Sequence, residues 1–125
     1  MLACCPCSCS VASVSEVRVT SSTGGEKGSK PAQFDQIPAV AMLELAKTYG
    51  FGASKYSAHN FRKGYDYSLS FSAMQRHAWA WQSGEDIDPE SDCNHLAHVA
   101  WHCFNLMAMQ DNQEQTAMFD DRFDA

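Results

Sequence analysis

Four stretches of the chain repeat apolar residues at a regular spacing. Across residues 15–20, Val17 and Val19 alternate with polar neighbours, the two-residue period of a short strand. From Pro38, a residue suited to a first helical position, the apolar spacing turns helical over 39–49. Val40, Leu43 and Lys47 follow one helical row, and Ala41, Leu45 and Thr48 another. Gly50 and Gly52 predict that this helix weakens or ends there. A second helix is expected over 69–83, with Ser68 as N-cap and Gly84 as the stop. Its apolar face holds Phe71, Met74, His77, Ala78 and Trp81, so one histidine lies within the stripe. A third helix runs from a Ser91 or Asp92 cap to about Gln110, with Leu96, Val99, Ala100, Cys103 and Leu106 or Met107 facing the core.

Between these elements lie two loops, SSTGGEKGSKP and NFRKGYDY. The pattern predicts an all-α body over 16–110 with a short β element at its N-terminus. A cysteine-crowded leader, residues 1–15, precedes it and is expected to be disordered. An acidic tail, residues 111–125, follows it and is expected to fray. A three-helix body is small for Trp79, Trp81 and Trp101, so a homo-oligomer with a helical interface is expected.

Composition narrows the classes of partner. The 125 residues carry a net charge of -6, which argues against a protein that coats nucleic acid. A nucleotide substrate remains open, because a metal supplies positive charge locally. No apolar run reaches the length of a membrane span. Cys93 and Cys103 read as reduced thiols of a cytoplasmic domain.

The densest chemistry is in GEDIDPESDCNHLAHVAWH. Glu85, Asp86, Asp88 and Glu90 crowd one turn, and His95, His98 and His102 follow on one helix. The short turn makes the second and third helices antiparallel, which brings His77 to the level of His98 and His102. Acids and imidazoles then converge at one end of a hairpin. Magnesium takes carboxylate oxygens, and manganese also accepts imidazole. Acids at a helix start are equally the mark of a solvated cap, and histidines on a Trp-rich face that of a satisfied core. Spacing alone leaves both readings open. Lys27 and Lys30 sit in a Gly-rich loop that could offer N–H groups to phosphate, although it lacks the Walker order. Arg62 and Lys63 lie among Phe61, Tyr65 and Tyr67, a setting able to hold a base or merely to pack a loop.

The ordered string SSTGGEKGSKPAQFDQIP, ELAKTYGFGASKY, HNFRKGYDYSLSF, QRHAWAWQSGEDIDPES and HLAHVAWHCFNLM resembles the phage dATP/dGTP diphosphohydrolase family over about residues 16–109. That family is the MazZ-like branch of the MazG-like all-α nucleotide pyrophosphohydrolases. The resemblance implies a MazG-like helical bundle in the host cytoplasm. It also implies Mg2+- or Mn2+-dependent cleavage of a deoxypurine triphosphate, dGTP or dATP, to the monophosphate and pyrophosphate. The usual ExxE and ExxD ligand motifs are absent, and His95-Leu96-Ala97-His98 stands where an ExxD-type motif is expected. The metal candidates are therefore Glu44, Glu85, Asp86, Asp88, His95 and His98, with Glu44, Glu85 and Asp88 also catalytic. Substrate-binding candidates are Lys27, Lys30, Lys55, Asn60, Phe61, Lys63, Arg76 and His77. Two other readings stay open: a non-catalytic nucleotide- or partner-binding helical module, and a metal-dependent phosphohydrolase of other specificity.

Overall fold

The computed structural model describes residues 15–123. The leader, which was expected to be disordered, falls almost wholly outside them. Residues 15–38 and 39–123 belong to two compact units. In the first, β1 (Val17–Thr20) pairs antiparallel with β2 (Glu26–Ser29), Val17 facing Ser29 and Thr20 facing Glu26. Sequence reading placed β2 in a loop. Its residues, EKGS, show no alternation because both strands are largely exposed, so the ladder rather than burial defines it. Gly24, at φ +86°, supplies the left-handed residue that closes the turn.

The second unit is built on α1 (Ala39–Lys55), α2 (Tyr67–Gln82) and α3 (His95–Asp111), followed by the single turn α4 (Gln113–Thr116). It is all-α apart from one tiny hairpin. The α2 and α3 helices run antiparallel: Ser70 meets His102, and His77 meets His95. α1 packs on α3. Contrary to expectation, α1 passes straight through Gly50 and Gly52. Gly52 faces the Trp101 indole, where a Cβ would stand at an ordinary contact distance of 3.4 Å. Nothing approaches the corresponding position at Gly50.

Leu45, Tyr67, Cys93, Ala97 and Met109 form the buried apolar core. Beside them lies a buried polar seam of Thr48, Ser70, His95, His98 and Asn105. Its members are held by partners around the seam: Thr48 donates to the Glu44 carbonyl, His95 bonds Glu85 and His98 bonds Ser91, while the Asn105 amide nitrogen finds no partner among the described residues. The Tyr49 hydroxyl donates to Asn105 Oδ1 at 2.6 Å. The Ser70 hydroxyl lies 2.7 Å from that of Tyr65 and 3.0 Å from His102 Nδ1.

The acidic turn is more ordered than its composition suggested. β3 (Ile87–Asp88) pairs with β4 (Cys93–Asn94) in a miniature antiparallel hairpin, with Asp92 at φ 58°. Asn94, rather than Ser91 or Asp92, caps α3 by accepting from the Leu96 N–H at 2.8 Å. Ser68 is likewise not a cap. α2 begins one residue before it, and its N–H and hydroxyl donate to the Asp121 carboxylate. The expected frayed tail is thus tied back over its described part. Phe119 also packs against Gly64, where a side chain would collide with its ring. Among the described residues no helix is long and apolar enough to cross a membrane.

Candidate functional site

The α2–α3 hairpin and the C-terminal half of α1 enclose a cleft of about 380 Å³. His77 enters from α2, and His95, His98 and His102 from α3. Asp88 and Glu90 come from the acidic turn, Lys55 from α1 and Arg76 from α2. The expected convergence of acids and imidazoles is therefore present.

The imidazoles form an ordered group. His77 stacks on His98 with centroids 4.2 Å apart and planes 5° from parallel. His95 Nε2–H donates to Glu85 Oε1 at 2.7 Å. His95 Nδ1 lies 2.8 Å from His77 Nδ1, so one of these nitrogens donates to the other. When His95 carries its single proton on Nε2, His77 Nδ1–H is the donor and His77 Nε2 keeps a bare lone pair. Burial, helped by the neighbouring His98, lowers the His77 pKa to about 4. Burial, with His77 and His98 beside it, also lowers His102 to about 4. His98 is lowered by burial too, against the pull of Asp88. At neutral pH these three rings are uncharged, the form in which imidazole accepts a proton or binds a metal.

Asp88 is the buried acid of the group, 9% exposed. Burial acts to raise its pKa, but hydrogen bonds from Ser91 and the Glu90 N–H, with the charge attraction of His98, outweigh it, and the carboxyl sits below its ordinary value. The Ser91 hydroxyl donates to Asp88 Oδ2 at 2.7 Å and accepts from His98 Nε2–H at 2.6 Å. Ser91 thus fastens the acid to the imidazole. Lys55 pairs with Glu90 at 2.8 Å. Arg76 forms no ion pair among the described residues. Of the two cations Lys55 and Arg76 on the cleft wall, it is the one free to meet an anionic ligand.

A family model described as dATP/dGTP diphosphohydrolase, N-terminal, matches residues 21–122. The chain belongs to this family. It is therefore placed among diphosphohydrolases acting on nucleotides, with a helical body in keeping with a MazG-like fold. Neither a search of curated proteins nor one of solved structures gave a match. For a diphosphohydrolase of this family, the cleft has the elements a polyphosphate requires: cations, proton acceptors and carboxylates that attract divalent ions.

The site residues expected from sequence are distributed unevenly. Lys55, Arg76, His77, Asp88, His95 and His98 line the cleft. Glu85 touches it through His95. The Asp86 side chain is exposed, and its carbonyl receives the His95 N–H at 2.9 Å. Glu44 is not on the cleft wall; it pairs with Lys47 at 2.9 Å. Phe61 is half-buried against Tyr49 and Trp101. Lys63 ends an exposed 3-10 turn. Lys27 and Lys30 belong to the N-terminal unit, where Lys30 pairs with Glu16. Sequence reasoning missed Tyr56, Ser91 and Trp101. Ser91 carried the only usable signal, because it lies inside the acidic turn.

Among the described residues no three His, Cys, Asp or Glu side chains form a ready cage for a metal ion. Magnesium seldom uses such a cage. It takes one or two carboxylates and fills its remaining positions with water and substrate phosphate oxygens. Asp88 and Glu90, with neutral imidazoles beside them, fit that mode.

Proposed function

We propose that the protein hydrolyses deoxypurine nucleoside triphosphates, dGTP and dATP, to the monophosphate and pyrophosphate, using Mg2+ or Mn2+. The observation that carries this reading is the joining, in one cleft, of a buried carboxylate, neutral imidazoles and the unpaired Arg76. The family description supplies the substrate class.

Arg76, and Lys55 once drawn from Glu90, neutralise phosphate oxygens. Asp88 and Glu90 would hold a divalent ion, which when bound would neutralise charge on the triphosphate and polarise the phosphoryl group. His77 Nε2 accepts the proton of the attacking water. Triphosphate beside the ring favours its charged form, so a base that is weak in the empty cleft strengthens on binding. Water oxygen bonds to the α-phosphorus, the bond from that phosphorus to the bridging oxygen breaks, and pyrophosphate leaves. Glu85 and His95 hold His77 in the tautomer that this needs.

The test is a panel of the four dNTPs with Mn2+, with products separated by anion exchange. Monophosphate plus pyrophosphate from the purine substrates is the expected result. Diphosphate plus phosphate would move the attack to the γ-phosphorus. Absence of any product at saturating metal would replace this reading with that of a binding module.

A further inference from the structure

A second cleft, of about 420 Å³, adjoins the first and shares Tyr56, Ala73, Arg76, Trp101 and His102 with it. Both volumes fall within the range of about 300–1,000 Å³ usual for small-molecule sites. Their linings differ in kind. The first carries the acids, Lys55 and three more imidazoles; the second adds Asn60, Tyr65, Leu69 and Ser70. A nucleotide divides the same way, into a polyanion and a flat base with a hydrogen-bonding edge. Tyr56 lies where the two clefts meet; it is 61% exposed, and the Lys55 ammonium stands over its ring 5.6 Å from the centroid. Asn60 stands on the wall of the second cleft and also of the small hollow beside it. Its amide is the one side chain on that wall with both a carbonyl acceptor and NH2 donors.

We propose that the purine of the substrate lies in this second cleft, stacked on Tyr56, with the Asn60 amide reading its edge. The assignment rests on the proposed triphosphate hydrolysis and extends it to specificity. Adenine presents an amino donor at position 6 beside the N1 acceptor. Guanine presents the O6 acceptor beside the N1–H donor. A carboxamide turned by half a rotation meets either pair, so one residue accommodates both purines. Arg76, on both clefts, marks where base and sugar give way to phosphate.

An ionised carboxylate at position 60 only accepts. It suits the N1–H and N2–H donors of guanine and opposes the N1 lone pair of adenine. Asn60→Asp is therefore expected to raise the dGTP:dATP ratio of kcat/KM about tenfold, within the discrimination of one bidentate base contact. Tyr56→Ala should raise KM for both purine substrates by about 5- to 150-fold, the measured range for loss of a base–aromatic stack. Tyr56→Phe should recover most of that loss. Equilibrium dialysis of dGMP and dAMP measures the same ratio without hydrolysis, so loss of the hydrolase reading leaves this test intact. Circular dichroism confirms that each variant is folded. A substrate ratio and a monophosphate Kd ratio that both stay within twofold of wild type in Asn60→Asp would overturn the assignment. So would an unchanged KM and monophosphate Kd in Tyr56→Ala.

Discussion

The His77 ring lies flat against that of His98, 4.2 Å from centroid to centroid, and two helices are joined at that contact. Two imidazolium ions could not share this stack without repulsion, so the geometry favours neutral rings. The sign of the pH response follows. His77 and His102 have pKa values lowered to about 4, against an ordinary value of 6.5. Between those values the unfolded chain binds more protons than the folded one, so stability falls as pH falls. The contribution is fully present above about pH 6.5 and is lost towards pH 4. Thermal melts from pH 7.5 to 4 should show Tm dropping across that window, and His102→Gln should flatten part of the drop. A wild-type Tm that is level from pH 7 to 4.5 would contradict the neutral-ring account.

Asp88→Asn should lower kcat by about 10²- to 10³-fold, since it removes charge from the place where transition-state charge is balanced. The same oxygens accept from Ser91 and the Glu90 N–H, so Tm should fall by a few degrees as well. The two effects separate in steady-state kinetics on the folded fraction. Near-normal kcat at saturating Mn2+ would leave Asp88 as a turn-builder alone.

Gly50→Ala should stabilise the protein by about 0.5–1 kcal/mol, because nothing lies where its Cβ would point and alanine favours helix. Gly64→Ala should do the opposite by about 1–3 kcal/mol. Gly64 sits at φ +84°, and a methyl there collides with Phe119. Urea denaturation of the pair gives both signs in one experiment, and equal effects would refute the packing described at Gly64.

Self-association is expected from the exposed apolar side chains of the helices. Val40, Leu43, Phe71, Trp79 and Met107 are each more than half exposed. A solvated chain rarely leaves so much large apolar surface open. Sedimentation equilibrium at micromolar concentration should give a mass of at least two chains. A mass of one chain across the concentration range would refute it.

Much of this architecture can be read in the sequence, and what cannot has physical causes. The three long helices follow from the apolar stripes around Leu45, Met74 and Val99, since a periodic stripe leaves a helix one way to face the core. The antiparallel meeting of His77 with His98 follows from the short turn, but the register lies nearer the turn than expected, so that His77 bonds His95. The β3–β4 hairpin is hidden because two-residue strands have no period. α1 outlasts its glycines in a setting the local sequence does not contain: it packs on α3, whose Trp101, 49 positions on, faces Gly52. Lys55 and Arg76 were legible as cations for phosphate, and Asn60 as a polar residue beside Phe61. The role of Tyr56 was not, because it depends on two clefts meeting. Glu44 shows the converse: an acid on a helix carries no sign in the sequence that it stands off the cleft wall, where it pairs with Lys47.

The contact of Gly52 with Trp101 has a wider consequence. An alanine Cβ at position 52 would still stand 3.4 Å from the indole, an ordinary contact, and only a longer side chain would have to move the ring. Trp101 also walls both clefts; Lys55, at the end of α1, reaches the first, and Tyr56, just beyond it, reaches both. The bore of the site is therefore gauged by one ring resting on one bare backbone position. Side chains longer than alanine at residue 52 act as changes of calibre: they alter how wide a ligand can pass while leaving every charged group of the site in the sequence.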